Sequence, residues 1–189
     1  MYRAHVTIKG MAPLSQSKMH QTPKIDGESH DEHDKRTWRE KCNYDNDGIV
    51  YVPAMAFKQA MDLAAKRLAI PDPDNKRANL TKYFVSDVIC EQNLSINVHK
   101  DKMPSIVISA NADGQRGSGK RVARTLPQVQ EWQGKTSFLV MEEKLKPEIF
   151  KKVLSAAGRS IGVGQFRPEK GGLNGRFEVA DAKFEKIEI

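Results

Sequence analysis

Cysteine is nearly missing from this chain: only Cys42 and Cys90 occur in 189 residues, far apart and outside any paired-cysteine motif. A disulfide-stapled scaffold is thereby excluded, and a reducing, intracellular setting is expected. Long apolar runs are missing as well. None approaches the length needed to span a bilayer, and the opening Met-Tyr-Arg-Ala-His-Val-Thr-Ile lacks the apolar centre of a signal peptide. A soluble, cytoplasmic protein with no membrane partner is the expectation. Apolar residues make up 39% of the sequence, a lean share, yet this length can bury a core in one domain carrying an elaboration. What the chain has in excess is positive charge: 31 Lys and Arg against 24 Asp and Glu, a net charge of +7. That balance favours an anionic partner, with nucleic acid foremost.

Hydrophobic periodicity divides the chain into strands and helices. Ala4, Val6 and Ile8 alternate with polar neighbours over Arg3 to Lys9, the pattern of a half-buried strand ended by Gly10 and Pro13. Residues 14–47 are polar and nearly free of aliphatic side chains, which predicts an inserted arm or partly mobile loop. Asn46-Asp47-Gly48 turns the chain into a short strand, Ile49 to Val52. Pro53 then opens a helix over Ala54 to Leu68, with Phe57, Ala60, Met61, Ala64 and Leu68 at helical spacing. Tyr83 to Val98 and Ser105 to Ala110 read as extended. Residues 111–124, with Arg116, Lys120 and Arg121, read as a basic hairpin. A strand over Thr136 to Met141 and a helix over Pro147 to Ala157 follow, with Gly158 as its natural stop. Phe177, Val179, Ala180, Phe184, Ile187 and Ile189 support one or two closing strands. The order predicts an α+β, ferredoxin-like (RRM-like) antiparallel sheet with two helices, an inserted arm and a basic hairpin, all in a single domain, 1–189.

The segment 158–176 holds six of the thirteen glycines, interleaved with Arg159, Phe166, Arg167, Lys170 and Arg176. Glycine supplies no side chain to pack, so this clustering points to a required backbone shape or to close approach of a ligand, and the cations point to a polyanion. A second cluster, Gly114 to Lys120, has P-loop spacing. Arg121 stands where the magnesium-binding Ser or Thr is needed and Pro127 interrupts the expected helix, so nucleotide hydrolysis is set aside. In the arm, Arg36, Trp38, Arg39 and Lys41 combine charge with an aromatic ring, suited either to hold a nucleotide or to pin the arm to the domain. His20, His30 and His33 lie near Asp31, Glu32, Asp34 and Cys42, but without the tight ligand pairs of a zinc site. No metal or other cofactor is expected. His5 or His20 is a candidate general base for RNA cleavage, against the commoner role of a surface histidine.

An N-terminal Val-Thr-Ile strand leads to Pro13-Leu14-Ser15; a long insertion precedes Val50-Tyr51-Val52-Pro53 and Phe57-Lys58; Ile161-Gly-Val-Gly164 is followed after a spacer by Gly175-Arg176-Phe177. In these patches the chain resembles the RAMP superfamily, the repeat-associated proteins that form crRNA-binding backbones and crRNA-processing subunits of CRISPR complexes; similar small proteins occur in phage genomes. The resemblance implies an RRM-like fold, with RNA near the glycine-rich loop at Gly162, Gly164, Arg167, Gly175 and Arg176, and near Phe57 and Lys58. It also implies self-association along a strand, or membership of a larger nucleoprotein complex. The spacer Gln165 to Asn174 and the short chain depart from the family's backbone subunits. The expected function is therefore non-enzymatic binding of single-stranded RNA or DNA with little sequence preference. Its contacts would be Arg36, Trp38, Arg39, Lys58, Lys120, Arg121, Arg124, Arg159, Phe166 and Lys170 together with the glycine-loop residues just named. Two alternatives stand beside it: a metal-independent endoribonuclease, and a protein that caps or inhibits a nucleoprotein machine.

Overall fold

The first strand, β1 (Tyr2–Gly10), buries Ala4, Val6 and Ile8 and turns His5 and Lys9 outward, as its period-two pattern dictates. The computed structural model describes residues 1–111 and 119–187. β1 runs antiparallel between β10 (Gln133–Val140) and β11 (Phe177–Lys186), and β6 (Val88–Cys90) extends the sheet beyond β10. One face of this sheet is covered by α2 (Ala54–Leu68) and α4 (Pro147–Ser160). The spatial order β11-β1-β10-β6, with α2 between the first two strands in sequence and α4 between the last two, is the ferredoxin-like split βαβ plan. Aromatic side chains lock the layers: Phe57 meets Phe177 with ring centroids 5.5 Å apart, and Phe138 meets Phe150 at 5.3 Å, both edge to face.

Three insertions elaborate that plan. The first carries β2 (Leu14–Ser15), α1 (His30–Thr37), a 3-10 turn (Trp38–Lys41) and β3 (Ile49–Val52). The second carries the hairpin of β4 (Pro71–Asp72) and β5 (Asn75–Asn79), then α3 (Thr81–Asp87). The third carries β7 (Leu94–His99), which pairs with β3, and a two-stranded ribbon of β8 (Ser105–Asn111) and β9 (Arg121–Val129). β2 pairs with the other edge of β9, so the arm and the ribbon grow from one side of the domain.

Several expectations are corrected. Tyr83 to Val98 is not continuously extended, because Leu80, Phe84 and Val88 recur every fourth residue and all bury, which makes α3 a helix turning into β6. The described residues thus hold four α-helices rather than two. Gly158 does not stop α4, which continues to Ser160. A Cβ at Gly158 would stand 2.0 Å from the carbonyl oxygen of Phe177, so this glycine lets α4 lie directly on β11. Gly162, at φ +73°, takes the terminating role, its N–H donating to the Ala157 carbonyl. A single ten-residue strand, β11, closes the sheet. Residues 112–118, the centre of the basic hairpin and most of the P-loop-like cluster, lie outside the described residues, as does Ile189.

Candidate nucleic-acid interface

Polar as it is, the arm folds by local rules. Ser29 caps α1, its Oγ accepting from the Glu32 N–H while the Glu32 carboxylate accepts from the Ser29 N–H. Asp34, Thr37 and Trp38 form the buried face of the helix and its 3-10 extension. Asp34 is the joint with the ribbon: Oδ1 accepts from Lys41 Nζ at 2.6 Å and Oδ2 from the Thr125 N–H at 2.6 Å. Arg124 Nη1 stands 3.7 Å from the same carboxylate. The segment leading into α1 is clamped by Arg36, which donates to Glu28 and to the Pro23 carbonyl. The guanidinium holds the Glu28 carboxyl well below the usual carboxylate range.

The glycine-rich segment is docked by its backbone. Gln165 N–H donates to the Ser15 carbonyl, Gly175 N–H to Pro13, Val163 N–H to Gly175, and Asn174 N–H to Phe166. Ser15 Oγ accepts from the side-chain amides of Gln128 and Asn174, tying loop, β2 and β9 at one atom. A Cβ at Gly164 would meet the Ser15 carbonyl oxygen at 2.4 Å, and one at Gly175 would meet that of Val163 at 1.7 Å. The glycines therefore serve a required backbone shape in which chain packs on chain; close approach of a ligand is not what explains them.

Arm, ribbon and glycine-rich loop together enclose an open cleft of about 1300 Å³. Its cations are Lys18 and Lys41 from the arm, Arg121 and Arg124 from β9, and Arg167 and Lys170 from the loop; Asp34 and Glu169 are its carboxylates. Glu169 lies between Arg167 and Lys170, 3.1 Å from each, and its carboxyl is held below the usual range, chiefly by the Lys170 hydrogen bond. Planar groups line the same space: Phe166, held at φ +58°, and the imidazoles of His20 and His33, stacked with centroids 5.9 Å apart. His33 Nε2 is 2.8 Å from the Thr22 carbonyl and so donates to it.

Five expected site residues, His20, Arg121, Arg124, Arg167 and Lys170, join Phe166 in this cleft. Others are placed elsewhere. Trp38 is buried and its ring is covered by the Arg39 guanidinium at 4.3 Å, so it pins the arm and offers no face to a base. Arg36 is spent on the Glu28 clamp, and Lys58 is bound by Asp62 and the carbonyls of Phe84 and Val85 at the end of α3. Arg159 is exposed on α4, and Lys120 is exposed at the ribbon's far end. Gly162 and Gly175 shape the loop from within, Gly164 rests on β2, and the half-buried Arg176 follows the loop with its carbonyl accepting from the Met11 N–H. His5 lies on the outer sheet face beside Glu185, in a separate groove of about 310 Å³ with Lys135 and Lys183. Sequence reasoning missed Lys18, the two carboxylates and, except as a metal-ligand candidate, His33; the helical spacing of Asp34, Thr37, Trp38 and Lys41 inside the polar arm was the signal that could have found Asp34.

The outer face of the sheet is a poor competitor for a single strand. Its side chains, Arg3, His5, Thr7 and Lys9 on β1, Lys135, Ser137 and Leu139 on β10, and Glu178, Asp181, Lys183 and Glu185 on β11, include no Phe, Tyr or Trp. Its charges also cancel locally, as in the Arg3 pair with Glu91 at 2.9 Å. Among the described residues no group of three or more His, Cys, Asp or Glu is placed to hold a metal ion. Glu32 is used by the helix cap, and the buried Cys42 thiol is pushed up to about 12. Among those residues no helix is long and apolar enough to cross a membrane.

A ferredoxin-like sheet with an inserted arm and a glycine-rich loop before the last strand is the fold that the resemblance to the RAMP superfamily implied; the ribbon beside the arm is an addition to it. In fold the chain is similar to a chain of the type III-B Cmr-beta bound to cognate target RNA, seen by cryo-electron microscopy, at a TM-score of 0.59 and 15% identity. That similarity covers 98% of this chain and 61% of the other, so this chain spans less than two thirds of its length. Cmr6 from Pyrococcus furiosus is 14% identical with a TM-score of 0.45, over 95% of this chain and 99% of that one. No protein-family model and no curated protein matches the sequence.

Proposed function

We propose that the chain binds single-stranded nucleic acid, RNA foremost, along its phosphate backbone and with little sequence preference. The observation that supports this most is the cleft itself, where, among the described residues, six cations from the arm, the ribbon and the glycine-rich loop face two carboxylates. Its volume of about 1300 Å³ exceeds that of ordinary small-molecule pockets, roughly 300–1,000 Å³, and suits a polymer passing through. Arg121, Arg124, Lys41, Lys18, Arg167 and Lys170 would take phosphates, while Phe166 and the His20 and His33 pair provide planar faces for bases. The Cmr-beta neighbour is bound to target RNA, which supports RNA as the first ligand to test. A strand longer than one footprint would carry several copies, read as stoichiometry in the same titration.

The test is anisotropy of a labelled oligo(U) in EDTA. Affinity is expected to fall about fiftyfold between ~50 and ~200 mM salt, as displacement of about three counterions requires. Salt-insensitive binding, or none to any oligonucleotide, contradicts the reading. A second reading, metal-independent cleavage of the bound RNA, is favoured by one observation: His20 lies in the cleft, whereas His5 lies on the other face. Discrete fragments in the same EDTA reaction, lost in His20→Ala, would replace simple binding by catalysis.

A further inference from the structure

Each carboxylate in the cleft faces two of its cations, but the two are built differently. Asp34 also accepts a backbone N–H from Thr125 and so joins arm to ribbon. Among the described residues Glu169 pairs with the loop's cations: Oε1 lies 3.1 Å from Lys170 Nζ, and Oε2 lies 3.1 Å from Arg167 Nη2, buried and not aligned for a hydrogen bond. Its backbone is fixed independently, the N–H donating to the Ile161 carbonyl inside the turn Pro168–Lys170. A carboxylate and a phosphodiester are both monoanions that accept from the same Arg and Lys donors. A partly exposed ion pair of this kind is weak and salt-screened, so a phosphate can take over its cations without the backbone moving.

We propose that Glu169 is an internal counter-ion, occupying the phosphate position between Arg167 and Lys170 until a nucleic-acid strand displaces it. It thereby sets a threshold: an isolated anion gains too little to replace it, whereas a strand held at the same time by Arg121, Arg124 and Lys41 does so readily. This rests on the cleft being the nucleic-acid site, and it predicts a gain where loss of a merely structural residue predicts none. Glu143, exposed in the turn after β10 and thus at the opposite end of the sheet from the loop, supplies a control with the same change of net charge.

The experiment compares wild type, Glu169→Gln and Glu143→Gln with labelled oligo(U) over a salt series, with thermal melting to verify the fold. Glu169→Gln is expected to bind about fivefold to tenfold more tightly at ~50 mM salt, with a log-log slope steeper by about 1.4, since two cations enter the exchange. Glu143→Gln should stay within about twofold of wild type. If wild type binds while Glu169→Gln is unchanged or weaker at an unaltered melting temperature, the counter-ion role is overturned and the cleft reading stands. Equal tightening by Glu143→Gln also overturns it, because net charge alone would then account for the gain. Binding by Glu169→Gln alone supports the role in its strongest form, and binding by none of the three overturns both.

Discussion

Replacing Arg121, Arg124 and Arg167 together with Ala is expected to weaken binding of a single-stranded oligonucleotide about a hundredfold at ~50 mM salt and to flatten the log-log salt slope by about 1.4. The three guanidiniums come from both ribbon and loop and converge on one cleft. Each cation that no longer pairs with a phosphate takes about 0.7 of a counterion out of the exchange for a single strand; Arg121 and Arg124 give the change in slope, while Arg167, already neutralised by Glu169, adds only to the loss of affinity. Replacing Lys151, Lys152 and Arg159 together with Ala is the matched control, because these three cations are exposed on α4 outside the cleft lining. It should leave affinity within about twofold. Anisotropy titrations of the two variants at several salt concentrations decide between a localised site and diffuse attraction by a basic surface. Equal weakening in both would mean that net charge, and not the cleft, holds the strand.

Gly175→Ala is expected to destabilise the protein by about 3 kcal/mol or more, a fall of roughly 6–12 °C in Tm for a chain of this size. Two independent penalties act there. The backbone sits at φ +67°, where an L side chain is strained, and the added Cβ would stand 1.7 Å from the Val163 carbonyl oxygen, inside the hydrogen-bonded pairing of Val163 with Gly175. Gly27→Ala separates the two effects. Gly27 has φ +75° with nothing within 4 Å of the new Cβ, so only strain applies and the cost should be about 1 kcal/mol. Thermal denaturation of both variants measures the difference. Similar small decreases would show that the loop relaxes freely, which its backbone hydrogen bonds to β2 and within itself argue against.

Much of the fold was legible because its elements obey simple periods. β1, α2 and α4 bury most of the residues that alternation or helical spacing assigns to the core, Leu68 at the exposed end of α2 excepted, and the ferredoxin-like order follows from their sequence. α3 was hidden because Tyr83, Phe84, Val85 and Val88 are residues that favour strands, while the period of four in Leu80, Phe84 and Val88 depends on burial against α2. The arm was read as polar and loose because its buried face is made of Asp34, Thr37 and Trp38. A carboxylate looks solvated until the Lys41 ammonium and the Thr125 N–H that satisfy it are known. The same limit applied to the glycines. Their clustering announced close approach, but only the fold identifies the approaching groups as the carbonyls of Ser15, Val163 and Phe166. Arg36, Trp38 and Lys58 carried the right chemistry for binding nucleic acid, but Glu28, the neighbouring Arg39, and the carbonyls of Phe84 and Val85 respectively occupy them instead.

The most direct test of where the strand lies is photo-crosslinking of a 4-thiouridine oligonucleotide to the protein, with the crosslinked peptides mapped by mass spectrometry. Crosslinks are predicted on the loop around Phe166, on the arm at His20 and His33, and on the β9 segment around Arg121 and Arg124, the three elements that enclose the cleft. Crosslinks concentrated on the outer sheet face at His5, Lys135 and Lys183, with the cleft peptides untouched, would contradict the account.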